Sequence, residues 1–172
     1  MNTNSVHFFN NTEIDRTPED CELILAVWEI SNPGNLGNII RLAHNIGALK
    51  VLFMNDSPEF SKLKIKKTAG FSYDQMSWEF ISQADFLQMI DSNRELVILE
   101  TCNDARNIYR INLPKKAIIL AGNESHGLPK EIIKKADHKI FIPMQGGCKS
   151  MNVSHAMAVA GFEWYRQISS PI

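Results

Sequence analysis

The chain has 172 residues, of which 44% are hydrophobic and 22% are charged, a composition that supports one ordinary core and differs from that of disordered chains. A formal net charge of −1 gives no overall basic signature of the kind common in nucleic-acid-binding proteins. Apolar runs are far shorter than the roughly 20 residues of a membrane span, and residues 1–20 lack the basic start and apolar stretch of a signal peptide. We therefore expect a cytoplasmic protein with a polar N-terminal extension at residues 1–20 and one domain at residues 21–172.

Short apolar runs rich in β-branched residues alternate with helical patterns along the chain. The runs predict strands at residues 23–30, 49–54, 96–99, 117–120 and 139–142, with a weaker strand at 77–81. Helical spacing of apolar residues predicts helices at 36–46, 59–68, 84–90 and 129–135. A last helix is predicted from about Ser150 to about Gln167, with Ser150 and Asn152 as N-cap candidates. This alternation predicts an α/β fold with a mainly parallel sheet, helices on both faces, and ligands at the carboxyl ends of the strands.

The first motif loop, residues 31–38, follows a predicted strand and opens a helix. Its Pro, Gly and Asn residues favour a tight turn, and glycine lets a ligand approach the backbone. Arg41 follows one turn into the helix and shares a face with His44. The segment alone fits equally well a turn followed by a surface arginine that pairs with a neighbour.

The second motif loop, residues 121–129, again joins a strand to a helix. Gly122 and Gly127 have the spacing of a P-loop, but Leu128 and Pro129 stand where Lys and Ser or Thr would hold phosphate and magnesium. No strand is followed by GxGxxG, so the fingerprint of a dinucleotide site is also missing. Glu124 alone could simply cap the next helix.

The third motif loop, residues 142–154, brings the chain from a strand to the start of the last helix. Small polar residues cluster at that helix N-terminus, where backbone N–H groups and side-chain oxygens are available for binding. Taken alone, this segment is a capping signal.

Together and in order, the three motif loops resemble those of the SpoU family in the SPOUT superfamily of RNA methyltransferases. The resemblance covers roughly residues 23–167 and rests on Asn-Leu-Gly-Asn-Ile-Ile-Arg at 35–41, Gly-Asn-Glu-Ser-His-Gly at 122–127, Ile-Pro-Met at 142–144 and Ser-Met-Asn-Val-Ser at 150–154. It implies a deep trefoil knot in the C-terminal part, which ordinary topology rules would exclude. It also implies a homodimer that transfers a methyl group from S-adenosylmethionine to an RNA 2′-hydroxyl, leaving S-adenosylhomocysteine.

The resemblance implies a cofactor site in the loops after the strands, made by Leu99, Glu100, Gly122, Asn123, Glu124, Gly127, Ile142, Pro143, Met144, Ser150, Met151 and Asn152. It implies no metal, and three widely spaced cysteines without a CxxC pair indicate reduced thiols rather than disulfides or a zinc site.

The catalytic residues that the resemblance implies are Arg41, Asn35, Glu124, Ser150 and Asn152. The family arginine is often proposed as general base, but a guanidinium with a pKa above about 12 is a poor proton acceptor. We expect Arg41 to orient the ribose hydroxyl or an adjacent phosphate and to stabilise developing oxyanion charge. Glu124 is expected to pair with Arg41, and the motif requires no histidine at positions 126 or 155, so packing or RNA contact is the expected role of His126 and His155.

The short N-terminal extension makes the chain most similar to the compact tRNA wobble-nucleotide 2′-O-methyltransferases, with ribosomal RNA as the alternative substrate. A SpoU-fold protein that binds RNA or cofactor without methylating is the alternative of another class. The best local candidate for an RNA footprint is a run of lysines, which fits a solvated helix face equally well: Lys62, Lys64, Lys66 and Lys67.

Overall fold

A computed structural model describes residues 4–56, 59–90, 93–123 and 125–169. Its centre is a sheet of seven strands in the order β3-β2-β1-β6-β4-β7-β5, in which every pair of neighbours is parallel. The strands are β1 Glu22–Trp28, β2 Lys50–Met54, β3 Trp78–Ile81, β4 Glu95–Leu99, β5 Arg106–Asn107, β6 Lys116–Ala121 and β7 His138–Phe141.

Helices cover both faces of this sheet. They are α1 Ser5–Asn10, α2 Pro33–Asn45, α3 Lys62–Ala69, α4 Ser72–Gln75, α5 Gln83–Met89, α6 Lys130–Lys135 and α7 Val153–Ser169, and a single 3₁₀ turn spans Ile108–Arg110. Buried residues of α2, α3 and α7 belong to one core cluster, while those of α5 and α6 belong to a second. The predicted α/β architecture, with a parallel sheet and helices on both faces, is therefore confirmed.

Strand β1, an interior strand of the sheet, explains why two cores form. Successive side chains of a strand point to opposite faces, so Leu23 and Leu25 enter the first core while Ile24 and Ala26 enter the second. All four are at most 4% exposed. A strand that is buried on both faces is continuously apolar, which is how such strands appear in parallel sheets.

Three elements, β5, α4 and α1, were not predicted from the hydrophobic pattern of the sequence. β5 has only two residues, and α4 has only four, so neither is long enough to show a period. α1 lies inside the polar extension and buries no residue; it is capped by the Asn4 side chain, which accepts from the His7 N–H. The segment that follows α1 contacts the domain, because the Tyr165 hydroxyl donates to the Asp15 carbonyl.

The last helix begins later than predicted. Its first residue is Val153, and Asn152 is the cap, since its Oδ1 accepts from the Ser154 N–H at 2.8 Å. Ser150 therefore lies outside the helix, and the expectation that it caps α7 was wrong. The helix continues to Ser169, two residues beyond the predicted end.

The trefoil knot and the division at residue 20 stay predictions. No helix among the described residues combines the length and apolar character that crossing a membrane would require.

Candidate active site

Four strand ends bring the three motif loops together. In a parallel sheet all carboxyl ends lie at one edge, and β1, β6, β4 and β7 are successive neighbours in this sheet. The first motif loop follows β1, the second follows β6, and the third follows β7. The strand order, which the sequence did not reveal, thus makes distant segments of the chain adjacent.

The second motif loop is a tight structure built on two glycines and one asparagine. A Cβ on Gly122 would lie 2.5 Å from the Gly127 carbonyl carbon, and Gly127 has a positive φ of 66°. Asn123 exchanges two backbone hydrogen bonds with Gly127, at 3.2 and 3.0 Å. Its side chain accepts from the Ser125 and His126 N–H groups and donates to the Glu29 carbonyl at 2.6 Å. The side chain of Asn123 therefore holds this loop against the end of β1.

Glu100, directly after β4, joins two neighbouring loops. One carboxylate oxygen accepts from the Thr101 N–H at 2.8 Å, and the other accepts from the Leu128 N–H at 3.1 Å. The same carboxylate would meet a Cβ on Gly127 at 2.7 Å. A glycine at 127 therefore provides both the backbone conformation and the space for this contact.

The first and third motif loops meet through a pair of asparagines. The Ser154 N–H must donate, so the Asn152 atom that it meets is the oxygen, and Asn152 Nδ2 consequently faces Asn35. This Nδ2 donates to Asn35 Oδ1 at 3.0 Å across 117 residues of sequence. Asn35 is only 6% exposed. The structure therefore brings together two of the five residues predicted to be catalytic.

A cavity of about 520 Å³ lies between these loops, a volume typical of small-molecule sites. Eight predicted cofactor residues line it: Leu99, Glu100, Gly122, Asn123, Gly127, Ser150, Met151 and Asn152. An adjoining recess of about 170 Å³ adds two more, Ile142 and Met144, and shares Leu99, Glu100, Ser150 and Met151 with the larger cavity.

Some predicted residues lie elsewhere. Arg41 is on the exposed face of α2 and lines neither cavity, and Pro143 is also absent from both linings. Glu124 falls outside the described residues, so its pairing with Arg41 stays a prediction. His126 and His155 are exposed and line neither cavity.

Several lining residues were not predicted: Thr101, Ala121, Ser125, Phe141, Lys149, Val153 and Ala156. Their position next to a strand end or a motif residue was the available signal. Lys149 is held in the third motif loop, because its ammonium group donates to the Met144 carbonyl at 2.9 Å. Cys148 lies beside it, and hydrogen bonding with the backbone of Ser150 lowers the pKa of the Cys148 thiol.

The cavity lining combines backbone at two glycines with apolar side chains. Gly122 and Gly127 keep the backbone close to the cavity, while Leu99, Ile142 and Met151 offer apolar surface. Among the described residues, no group of three or more His, Cys, Asp or Glu side chains is close enough to hold a metal ion.

The family model described as "SpoU rRNA Methylase family" matches residues 22–162. The chain belongs to this family. All three motif loops lie within the matched region.

Two relatives and one solved structure of the family illustrate the likeness. A "tRNA (guanosine(18)-2'-O)-methyltransferase" of Aquifex aeolicus is 28% identical over 85% of this chain and 70% of its own length. A "tRNA (cytidine(34)-2'-O)-methyltransferase" of Yersinia pestis is 29% identical over 87% of this chain and 96% of its own length. The structure of an "AdoMet bound rRNA methyltransferase from Sinorhizobium meliloti" superposes with a TM-score of 0.80 at 25% identity, over 90% of this chain.

The chain covers different shares of these family members. It spans only 59% of the Sinorhizobium chain, but nearly the whole of the Yersinia protein. This SpoU chain thus corresponds to the part that longer members share with compact ones.

Proposed function

We propose that this chain is an S-adenosylmethionine-dependent RNA 2′-O-methyltransferase that acts on tRNA. The observation that carries the proposal is the cavity of about 520 Å³ at the carboxyl ends of β4 and β6, lined by Asn152, which is hydrogen-bonded to Asn35 after β1. Membership of the SpoU family supplies the reaction class, since the relatives above are named as 2′-O-methyltransferases.

The cavity residues would hold S-adenosylmethionine. Backbone groups at Gly122 and Gly127, which line the cavity, would face the adenosine, and Leu99, Ile142 and Met151 would pack on its apolar faces. When bound, the cofactor supplies a methyl group already activated by its sulfonium. The AdoMet-bound Sinorhizobium structure supports this assignment.

The main task left to the protein is to place a weak oxygen nucleophile, and positioning alone can supply several kcal/mol. Arg41 would hold the ribose hydroxyl or a neighbouring phosphate and stabilise oxyanion charge, since its guanidinium remains protonated. Asn35 and Asn152 fix polar groups without adding charge, and Ser150 contacts the cofactor or the hydroxyl. Glu124 would orient Arg41.

tRNA is favoured over ribosomal RNA by length. The Yersinia relative, named for cytidine 34 of tRNA, is matched over 96% of its length, so nucleotide 34 is the position to examine first. Ribosomal RNA is the second candidate, because the Sinorhizobium structure is named an rRNA methyltransferase.

The resemblance to SpoU enzymes also supports a homodimer and a deep trefoil knot in the C-terminal part. Phe71 and Phe162 are 76% and 50% exposed, and burial of such side chains against a second copy is favourable. Light scattering should therefore give twice the chain mass of 19.5 kDa; a monomeric mass would contradict the dimer.

The function is tested by transfer of tritium from labelled S-adenosylmethionine to total tRNA and, separately, to ribosomal RNA, followed by nucleoside analysis. A labelled 2′-O-methyl nucleoside in tRNA supports the proposal, and label in ribosomal RNA alone favours the second substrate. Absence of transfer to both, with cofactor binding intact, would overturn the enzymatic proposal in favour of a non-catalytic binder. Arg41→Ala serves as the inactive control.

A further inference from the structure

A second, basic groove lies on the outer side of the first motif loop. It has a volume of about 770 Å³ and is lined by Ser31, Asn32, Pro33, Gly34, Lys64, Lys67 and Thr68. One wall is the N-terminal end of α2, and the other is α3. Asn35, the next residue after the lining part of the loop, accepts a hydrogen bond from Asn152, which lines the active-site cavity. One short loop thus connects the groove with a residue of the cavity wall.

The four lysines of α3 divide into two pairs by helical spacing. Lys64 and Lys67 are three residues apart and therefore share a face, which is the face toward the groove. Lys62 and Lys66, four residues apart, share another face. Lys66 is occupied there, since its ammonium group lies 3.0 Å from a carboxylate oxygen of Asp74 and 5.4 Å from the Tyr73 ring centroid.

The two groove lysines have no such partner. Both are exposed, and neither occurs in an ion pair among the residues that the structure describes. The helix N-terminus contributes little by itself, because the Gly34 N–H already donates to the Asn32 side chain at 2.8 Å. The positive charge of the groove is therefore that of Lys64 and Lys67.

The position of the lysines is fixed by a close helix crossing. A Cβ on Gly37 would lie 2.6 Å from both the Ile65 carbonyl oxygen and the Thr68 Cβ. Ile65 and Ala69 anchor α3 in the core. Because α3 rests directly on α2, the backbone of its two groove lysines is positioned beside the first motif loop.

We propose that Lys64 and Lys67 bind phosphodiester groups of the substrate RNA that flank the nucleotide presented to the active site. The inference rests on the proposed function and names the surface that the substrate uses. A chain with a net charge of −1 has no general attraction for a polyanion, so its phosphate contacts must come from local clusters. Lys64 and Lys67 meet that need, because they lie beside the first motif loop and outside the ion pairs of the described residues. If all four lysines only kept the helix solvated, Lys64 and Lys67 would not need surroundings different from those of Lys66, which pairs with Asp74.

The experiment compares two double variants of the same helix. Lys64→Ala/Lys67→Ala removes the groove charges, and the matched control Lys62→Ala/Lys66→Ala removes the same charge from the other face. Binding of fluorescently labelled total tRNA is measured by anisotropy between about 50 and 200 mM salt. On single strands, each phosphate contact contributes about 0.7 to the slope of log K against log salt concentration. Loss of two contacts therefore lowers this slope by about 1.4 and weakens binding about 25-fold at 0.1 M salt.

We expect this loss in the groove variant alone, together with a raised KM for tRNA and an unchanged dissociation constant for S-adenosylmethionine. Equal losses in both variants, or none in either, would overturn the inference. Failure of the proposed function is recognised separately, as absence of methyl transfer by the wild-type protein. If the wild-type protein transfers methyl groups but both variants bind tRNA equally, the role of the groove in RNA binding is refuted and the proposed function is unaffected.

Discussion

Substitution of Asn152 separates two hydrogen-bonding roles of one side chain. Its Oδ1 caps α7 at the Ser154 N–H, and its Nδ2 donates to Asn35. Serine at 152 keeps the cap, since Ser and Asn are comparable N-caps, but it is too short to reach Asn35. Alanine loses both contacts, as well as the hydrogen bond that the Ser154 hydroxyl donates to the same Oδ1 at 2.7 Å. Asn152→Ser therefore measures the link between the first and third motif loops, and the difference between the two variants measures the cap.

Each contact contributes about 1 kcal/mol to the free energy of unfolding. We therefore expect Asn152→Ser to lose about 1 kcal/mol and Asn152→Ala about 2 kcal/mol. For a domain of this size, 1 kcal/mol lowers Tm by about 2–4 °C, so the two losses are resolved by urea unfolding and by thermal melting. The matched control is Asn32→Ser, because Asn32 caps α2 at the Gly34 N–H in the same way, and we expect no measurable change there.

A double-mutant cycle with Asn35→Ala isolates the bond between the two asparagines. The expected coupling energy is about 1 kcal/mol. A coupling below about 0.3 kcal/mol, the scatter of independent sites, would refute the bond. Equal losses for Asn152→Ser and Asn152→Ala would refute the cap.

Three further predictions concern the cavity, the role proposed for Arg41 and stability at acidic pH. Gly122→Ala should lower the free energy of unfolding by about 1–3 kcal/mol and abolish calorimetric binding of S-adenosylmethionine, because the added Cβ meets the Gly127 backbone. The control Gly146→Ala, where a Cβ meets no atom within 4 Å, should change neither quantity. Unchanged cofactor binding by Gly122→Ala would show that the pocket is misplaced. Arg41→Ala should reduce methyl transfer roughly 10²–10³-fold with little change in cofactor affinity, and equal losses of rate and affinity would contradict its assignment to the hydroxyl. The hydrogen bond from Arg166 holds the pKa of Glu163 below its ordinary value of 4.5, so this carboxylate contributes stability that is present above that pH and is lost as pH falls through the lower folded value. As the pH is lowered, the free energy of unfolding measured in urea should therefore fall less for Glu163→Gln than for the wild type. Parallel pH profiles of the two proteins would argue against the Glu163–Arg166 pair.

The sequence predicted the elements whose pattern is local. The alternation of buried strands and helices indicated the α/β class, and the carboxyl ends of β2 and β4 were predicted to the residue. It also placed functional candidates in the loops after β1, β4, β6 and β7. These conclusions depend only on spacing along the chain, which is why a short element such as β5, with no period to detect, was missed.

What the tertiary structure decided is which distant residues meet. The order β1-β6-β4-β7 makes neighbours of loops that are separated by tens of residues, and no local pattern encodes that order. Likewise the lysines of α3 looked equivalent in sequence, and only the helix crossing at Gly37 and the partner Asp74 distinguish Lys64 and Lys67 from Lys66. Contacts such as Asn35–Asn152 follow from packing of the whole chain, because a hydrogen bond between residues 117 apart requires the core to bring its partners together.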